Sequence, residues 1–598
     1  MYAALYADVT TLEQLLKKGA DPNARNDANA TALMWASTDL EKTRVLLAHG
    51  AEVNARSDYG RTPLMIAAGR PGGAPIVKLL LDRGANPNPT KNPAEPAPLA
   101  QAALAGDAES MQLLLDRGAD VKKAGAMALI MAVTVNCSKC VDLIVAKNLD
   151  QAAYTIALLR TAALGDIRAT RLMLDHGADV NAVDSLGRTA LIYAAISDLL
   201  PLDVVKLLIE RGANVNATSQ HAQSGDTSLT ALDLAKMYGE TPIVALLIKS
   251  GATGAGRPTP VLKPQRGNTI PNAIQHSLPL LQRAAANFTA KSGCVSCHNN
   301  SLEAMAVGLA RRTGFRVDEQ IAAQQVKANA SYLEHRRDSL HQGFFAAQAG
   351  AAAFEDLFGP NFLSYILVGL EAERYKPDLN TDAVAMYLRT RQMPDGRWAD
   401  GARAPRPPLC SEYIGQTALS MRALQLYAPK IDKAGYEKTI RLAAAWLAKV
   451  EPKTNEDQIW RLLGLAWAAR DKGAIKKAQR DLLAAQRPDG GWSDIASMDR
   501  NAYATGRALV ALQTAGIPVS HPAYQRGVQF LLKNQLVDGS WYVKSRAAGL
   551  QPHFDGGFPH GVDQWISAAG TSWATMALTL ASQAPGANSI SSARTRLP

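Results

Sequence analysis

Cysteine and aromatic residues are both scarce in this chain, with five cysteines and 6% Phe, Trp and Tyr in 598 residues. No apolar run reaches the roughly 20 residues that a membrane-spanning helix needs, so no span is expected. Lys and Arg outnumber Asp and Glu by 64 to 53, but no basic stretch is interleaved with aromatics, and nucleic-acid binding is therefore not predicted. The five cysteines require no disulfide.

The first residues, MYAALYADVT, also lack the basic segment and apolar stretch of a signal peptide. Residues 2–26 begin inside a repeat unit whose opening is missing, and a repeat array needs a polar cap at each end. We therefore expect an upstream segment, such as a secretion signal, before Met1.

What the chain does contain is an internal repeat with a period near 33 over its first 253 residues. Each unit has an Ala-rich helix, a turn and a Leu-rich helix that ends at a glycine able to adopt positive φ. The second helices end in VLLAHGAEVNAR (45–56), LLLDRGANPNPT (79–90), LLLDRGADVKKA (113–124), LMLDHGADVNAV (172–183) and LLIERGANVNAT (207–218). The openings RTPLMIAA (61–68) and RTALIYAA (188–195) supply a capping threonine and small residues for close packing.

These units resemble ankyrin repeats, about eight of them over residues 1–253. The resemblance implies a solenoid whose concave face binds a protein partner, and it leaves that partner unspecified. One unit contains VNCSKCVDLIVAK (135–147), with Cys137 and Cys140 at the turn into its second helix. A zinc site usually needs a second cysteine pair, so we expect structural thiols here.

Residues 254–273 are rich in Pro and Gly and read as a linker. After it, three segments share one signature, each following an amphipathic helix. They are QMPDGRW (392–398), QRPDGGW (486–492) and QLVDGSW (535–541). Asp-Gly makes a tight turn, while Gln and Trp can tie the helix end to the neighbouring turn.

These segments resemble the QW repeats of squalene–hopene cyclases and of the related prenyltransferase α/α toroids. The resemblance implies six helical hairpins closing a ring over residues 274–585, followed by a disordered tail at 586–598. Outer helices are expected near 276–291, 318–337, 380–393, 434–450, 472–487 and 521–535. Inner helices are expected near 301–314, 360–373, 412–428, 455–471, 501–515 and 566–582. The predicted fold class is all-α, an ankyrin-repeat solenoid followed by an α/α toroid.

Enzymatic activity does not follow from the QW turns, which are structural devices. The cyclases protonate their substrate with a DxDD segment; here the matching region, SMDRNAYATG (497–506), has Asp499 alone. The DDxxD pattern that holds magnesium diphosphate is absent from the chain. A prenyltransferase-like zinc site would need Asp, Cys and His together, and Cys410 is one candidate member. Asp499 is the catalytic candidate if the chain is cyclase-like; whether it is an enzyme stays open.

The loop GCVSCHNN (293–300) lies where the first hairpin would otherwise place its QxxDGxW turn. Its Cys294, Cys297 and His298 form the CxxCH pattern that resembles the haem attachment motif of c-type cytochromes. Two thiols at this spacing form thioethers with the haem vinyl groups, and the next residue ligates the iron. A structural zinc, a disulfide or a thioredoxin-like redox pair are the alternatives.

The sequence does not fix the second axial ligand of the haem iron. The candidates are Met305 on the following inner helix and, by preference, His560 in the long loop of the last hairpin. His341, Met498 and His553 also come into range if the loops gather at one end, and an iron with one axial ligand would favour sensing. Haem attachment takes place on exported chains, so we expect a periplasmic or otherwise exported protein, and a cytoplasmic one if the haem prediction is wrong.

The predicted function is therefore a c-type haem-binding protein, for electron transfer or haem-based sensing, with an ankyrin module and a redox partner. The alternatives are a terpenoid cyclase or prenyltransferase-like enzyme, and a scaffold without catalysis. We expect one haem at the rim of the ring, and a turn that is buried, or that lies far from any space for a macrocycle, would argue against it.

Overall fold

In the computed structural model of the chain, the described residues are 1–90, 97–220, 227–254, 256, 260–344, 359–399, 413–546 and 555–583. For Gln220, Thr227, Ser228 and His298 the description covers the backbone only. The predicted tail at 586–598, Cys410 and His553 lie outside these residues.

The N-terminal part is built from short helices in consecutive pairs. They are α1 (Tyr2–Tyr6), α2 (Val9–Lys17), α3 (Ala32–Ala36), α4 (Leu40–Ala48), α5 (Pro63–Ala68), α6 (Ala74–Asp82), α7 (Pro98–Leu104), α8 (Ala108–Asp116), α9 (Val121–Thr134), α10 (Ser138–Val145), α11 (Gln151–Ala163), α12 (Ile167–Asp175), α13 (Ala190–Ala195), α14 (Leu202–Glu210), α15 (Ala231–Ala235) and α16 (Pro242–Lys249). A short antiparallel hairpin, β1 (Thr218–Gln220) and β2 (Thr227–Thr230), pairs Thr218 with Thr230.

The asparagine of the Gly-Ala-Asx-x-Asn motif joins each repeat to the next. Asn54, for example, donates its side-chain N–H to Gly84 O at 3.0 Å and accepts from Asn86 N at 2.8 Å. Asn181 does the same with Gly212 and Asn214. These bonds satisfy backbone groups that a helix end leaves without a partner, which explains why the motif repeats.

The C-terminal part alternates outer and inner helices. The outer helices are α17 (Ile270–Ser292), α19 (Glu319–Glu334), α22 (Leu379–Thr390), α24 (Lys433–Lys449), α26 (Lys472–Ala484) and α28 (Pro522–Asn534). The inner helices are α18 (Leu302–Arg312), α21 (Gly359–Ala372), α23 (Tyr413–Tyr427), α25 (Asn455–Ala468), α27 (Ala502–Thr514) and α29 (Gln564–Ala581). A short helix, α20 (Arg337–His341), follows α19.

Each inner helix packs against the next, and α29 packs back against α18 and α17, so the ring is closed. The predicted all-α class, a solenoid followed by a toroid of six hairpins, is confirmed. The first outer helix begins at Ile270, before the sequence boundary at 274, because Thr269 caps it and a proline occupies its first turn.

The three QW turns use the same hydrogen bonds. In the third, Gln535 donates to Gly539 O within its own turn and to Ala273 O of the first outer helix, both at 2.9 Å. Trp541 Nε1 donates to Leu531 O at 2.8 Å, and Trp541 N donates to Thr571 Oγ1 of the inner helix at 3.0 Å. The third turn therefore joins hairpin six to hairpin one and closes the ring.

Gly539 tests that closure, because a Cβ there would lie 2.6 Å from His276 O and its φ is +88°. We expect Gly539→Ala to lower the free energy of unfolding by about 2–5 kcal/mol, from backbone strain plus overpacking. Gly516→Ala is the matched control, since its φ is +94° and nothing lies within 4 Å of its Cβ position; it should cost about 1–2 kcal/mol. Urea unfolding of both variants measures the difference, and equal losses would contradict tight closure at Gly539.

In several repeats of the solenoid, the end of the first helix, or the loop that follows it, contacts the toroid. The toroid residues involved lie in, or next to, the segments between outer and inner helices. The contacts are Trp35 with His341 (ring centroids 5.1 Å apart), Arg391 Nη1 to Gly69 O (3.0 Å), Tyr413 Oη to Thr134 O (3.4 Å) and Arg546 Nη2 to Asp198 Oδ2 (2.8 Å). The solenoid thus sits over the end of the ring at which the inner helices begin.

Candidate functional site

The CxxCH residues occupy the turn between the first outer and the first inner helix. The outer helix ends at Gly293, which has a φ of +62°. Ser296 then accepts from Asn299 N at 3.0 Å as a helix cap, and a five-residue π-type turn, Cys297–Ser301, leads into α18. This turn packs against α17, α18, α21 and α29, so it lies where the ring closes.

Asn300 holds this turn in place. Its Oδ1 accepts from Ser296 N at 2.7 Å, and its Nδ2 donates to Thr289 Oγ1 at 2.9 Å and to Gln325 Oε1 at 2.6 Å. Because Asn300 is fully buried, losing these bonds would leave polar groups without compensation. Two outer helices, α17 and α19, therefore fix the position of the cysteine loop.

Cys294 and Cys297 are not joined in a disulfide, whereas Cys137 and Cys140, at the same spacing, form one. The expectation of structural thiols at Cys137 and Cys140 is thus corrected to a disulfide: the turn into α10 brings the two sulfur atoms within bonding distance. Among the described residues, no group of three or more His, Cys, Asp or Glu side chains could hold a metal ion.

The turn is more buried than the rim position expected from the sequence, and this burial argues against a haem held at the rim. Cys294 is partly exposed, but only 8% of Cys297 is accessible, and its side chain belongs to the apolar core. Five other described residues of the turn are also buried: Val295, Ser296, Asn299, Asn300 and Ser301. A macrocycle bound here would therefore have to lie within the packed structure and could not rest on its surface.

Three buried polar atoms beside the cysteines fit a bound group at this position. Within the described part of the chain, Asn299 Nδ2, Ser301 Oγ and Glu303 Oε1 have no hydrogen-bond partner. Burial, and next the charge of Glu373, also raise the pKa of Glu303 well above its usual value. Cys294, Cys297 and these three polar atoms are the groups with which a covalently held porphyrin would have to bond here.

The candidate second ligands lie in different surroundings. Met305 is buried in the core on α18. His560 Nε2 is 2.8 Å from Ser540 Oγ, and burial lowers the pKa of this histidine. Its loop does reach hairpin one, because Lys291 donates to Asp555 O.

The other histidine within range, His341, packs against the solenoid. Its ring lies on Trp35, and burial lowers its pKa to about 4, so it is neutral. Neither ring nitrogen has a partner among the described residues. Met498 is half-buried in the segment before α27.

Asp499, the candidate acid for a cyclase-like enzyme, is fully exposed and lies 4.0 Å from Arg500. A fully exposed carboxylate beside a guanidinium group lacks the shielded surroundings that an acid for carbocation chemistry needs. The structure therefore argues against that role.

The buried acids of this region are Glu456 and Asp494, which sequence analysis missed. They form a cluster with Arg507, Arg546 and Asp198 of the solenoid. Arg546 binds Asp198 through Nε at 2.9 Å and Nη2 at 2.8 Å, and Asp494 through Nη1 at 3.2 Å. Arg507 Nη1 donates to Glu456 Oε1 at 2.9 Å. The sequence does contain a signal for such a cluster, namely a charged residue within an otherwise apolar stretch. Arg507 in YATGRALVAL is an example.

This cluster contains three carboxylates and two guanidinium groups, so one proton would make it neutral. Burial, and next the charge of Asp494, raise the pKa of Glu456 to about 7, although Arg507 and Arg546 oppose the shift. Because the folded protein holds this proton more tightly than the unfolded chain, the contribution of Glu456 to stability is greatest below pH 4.5. It is lost as the pH rises to about 7.

We expect wild type to lose about 2–3 kcal/mol of stability relative to Glu456→Gln between pH 5 and pH 8. The glutamine cannot titrate, so the difference isolates this one carboxyl group. Urea unfolding at several pH values measures it, and a difference that does not change with pH would contradict the assignment.

Comparison with known proteins identifies ankyrin repeats in the N-terminal part of the chain. A family model described as "Ankyrin repeats (3 copies)" matches residues 1–91, 72–155 and 146–219. The B-cell lymphoma 3 protein homolog of Mus musculus is 41% identical over 85 residues, which cover 14% of this chain and 17% of that protein. In the crystal structure of the human ASB11 ankyrin repeat domain, 98% of that chain and 42% of this one align, with 23% identity and a TM-score of 0.27.

Two further relatives are cyclases. The squalene–hopene cyclase of Bradyrhizobium diazoefficiens is 37% identical over 90 residues, 13% of this chain and 14% of that enzyme. The lanosterol synthase of Candida albicans is 36% identical over 78 residues, 11% of either protein. The chain therefore spans less than a fifth of the length of each of these three curated relatives. None of the helices described above combines the length and apolar content that a bilayer crossing requires.

Proposed function

We propose that this chain is a c-type haem-binding protein in which Cys294 and Cys297 hold one haem and His298 ligates its iron. The observation that carries the proposal is a CxxCH turn, with neither cysteine in a disulfide, at the point where the ring closes. The other two-cysteine turn of the same spacing is oxidised and is followed by Val141, not by histidine.

The residues around the turn have distinct tasks in this function. Gly293 ends the outer helix so that the loop can leave it, while Ser296 and Asn300 fix the backbone between the two cysteines. Bound haem would supply one-electron transfer or a site for a small ligand. Met305 or His560 would be the second axial ligand, and His560 would first have to give up its contact with Ser540.

The burial of Cys297 determines when attachment occurs. A thiol that is 8% accessible within an apolar core cannot meet a macrocycle in the folded protein. Thioether formation therefore precedes folding, as expected for a chain that is exported and then modified. The protein is accordingly expected outside the cytoplasm, with a redox partner and with the solenoid as its protein-interaction module.

The test is a pyridine haemochrome spectrum of the chain produced together with a cytochrome c maturation system and a secretion signal. We expect one haem per chain to remain with the polypeptide after acid–acetone extraction and to give a thioether-type spectrum. Extraction of all haem, or a chain that carries none, would overturn the proposal.

A second candidate, isoprenoid binding within the toroid, is favoured by aromatic rings on its inner helices. Trp460 lies 6.1 Å from Trp573 and 6.4 Å from Tyr365, measured between ring centroids. The guanidinium carbon of Arg507 lies 4.0 Å from the centre of the Tyr503 ring. Titration with squalene, followed by tryptophan fluorescence, tests this candidate, and the absence of binding would remove it. Whether such binding would lead to catalysis stays open, since Asp499 is exposed.

A further inference from the structure

The disulfide between Cys137 and Cys140 lies at the start of α10, the second helix of the fifth repeat. Cys137 precedes α10 as its capping residue and is partly exposed, while Cys140 is fully buried in the first turn. The pair lies next to the toroid, because Cys137 contacts Gly106, and a Cβ at Gly106 would lie 2.9 Å from Met393 of the first QW turn. Neither the haem proposal nor the ankyrin fold uses this pair.

Other repeats place an aspartate at the position of Cys137. Asp107 accepts from Ser110 N at 3.0 Å, and Asp166 accepts from Ala169 N at 2.9 Å. Cys137 Sγ accepts from Cys140 N at 3.2 Å in the same way. A thiolate at Cys137 would therefore occupy a position at which this fold stabilises a carboxylate, through a backbone N–H and the positive end of the helix.

The surrounding charges also favour an anionic sulfur. The first turn of α10 contains no acidic residue. Asp142, in the next turn, is paired with Arg168 at 2.5 Å. Lys139, between the two cysteines, is exposed. Reactive cysteines are found in such partly exposed, electropositive positions at helix N-termini.

We propose that Cys137 and Cys140 form a redox-active disulfide that exchanges with an external dithiol. A thiolate of the dithiol attacks Cys137 Sγ, the S–S bond breaks, and Cys140 leaves as a thiolate that takes up a proton. The second thiol of the donor then attacks the donor sulfur of the mixed disulfide and releases Cys137. Two electrons and two protons pass to the pair, and the donor becomes a disulfide.

The asymmetry of the pair assigns the two roles. Only Cys137 is accessible to an incoming thiolate, because Cys140 is covered by the core of the repeat. The more exposed sulfur is also the one that accepts the backbone N–H. Attack therefore occurs at Cys137, and Cys140 closes the disulfide again on oxidation.

The test uses the full chain with Cys294→Ala, Cys297→Ala and Cys410→Ser, so that its result does not depend on haem attachment. In this background, Cys140→Ser leaves the Cys137 thiol alone and Cys137→Ser leaves the Cys140 thiol alone. We expect iodoacetamide at pH 6.5 to alkylate Cys137 more than about tenfold faster than Cys140. Equal rates, or a faster Cys140, would overturn the proposal.

A second measurement follows the intact pair in the same background. Dithiothreitol should reduce it while the far-ultraviolet circular dichroism stays unchanged, as shown by maleimide labelling of two thiols per chain. A pair that remains oxidised in excess dithiothreitol until the protein unfolds would be structural and would contradict exchange. Cys137→Asp/Cys140→Ala copies the sequence of the Asp166 repeat and serves as the folded control that cannot be labelled.

Discussion

Cys294→Ala/Cys297→Ala is expected to yield a folded chain from which all haem is extracted, while Cys137→Ser/Cys140→Ser keeps one covalent haem per chain. Both pairs have the CxxC spacing, but only the first is followed by a histidine and is not joined in a disulfide. Thioether bonds need two reduced sulfur atoms and an adjacent ligand that directs the iron. Each double variant lacks two cysteines, but only one of them lacks the CxxCH motif. The comparison therefore shows whether haem attachment depends on that motif or only on the number of cysteines.

Circular dichroism of both variants is the control, because loss of haem must not arise from loss of the fold. The alanine pair removes little volume, and Cys294 is only partly buried. If the Cys294→Ala/Cys297→Ala chain retained haem through extraction, the site would lie elsewhere. If both pairs proved necessary, the disulfide of the solenoid would contribute to maturation and the assignment to one turn would fail.

Arg546→Leu is expected to lower the free energy of unfolding by about 3–5 kcal/mol, because it leaves buried carboxylates without their partner. Arg546 is fully buried and contacts Asp198 of the solenoid as well as Asp494 of the toroid. Its loss also removes the bidentate bond between the two parts. We therefore expect the single unfolding transition of wild type to separate into two in calorimetry.

Arg500→Leu is the matched control, since Arg500 is 47% exposed and pairs with Asp489 on the surface. Exposed pairs contribute about 0–1 kcal/mol. Asp198→Leu combined with Arg546→Leu should recover part of the loss, because one unpaired buried charge is then removed. A cost for Arg546→Leu no larger than that for Arg500→Leu would show that the cluster does not join the two parts.

The helical architecture could be predicted because its determinants are local. The Gln-x-x-Asp-Gly-x-Trp turns occur at regular spacing, and their Gln and Trp make the same bonds in all three hairpins, as in Trp398 Nε1 to Leu388 O and Trp492 Nε1 to Leu482 O. The outer helix predicted at 318–337 is α19, which ends three residues earlier at Glu334, and a separate short helix, α20, begins at Arg337. Helix boundaries depend on caps and turns that periodicity does not reveal.

The buried charge cluster could not be predicted, because its members come from positions far apart in the chain. Asp198 and Arg546 are 348 residues apart, and nothing in either local sequence indicates the other. The CxxCH turn was located correctly between an outer and an inner helix, but its burial was not foreseen. Burial depends on packing against α21 and α29, which the sequence of the turn does not encode.

Mass spectrometry of the protease-digested holoprotein tests the central claim most directly. The account predicts that the peptide containing Cys294 to His298 carries the mass of one haem and that peptides containing Cys137, Cys140 or Cys410 carry none. An unmodified 294–298 peptide from a chain matured under haem-attaching conditions, or haem on any other cysteine, would contradict it.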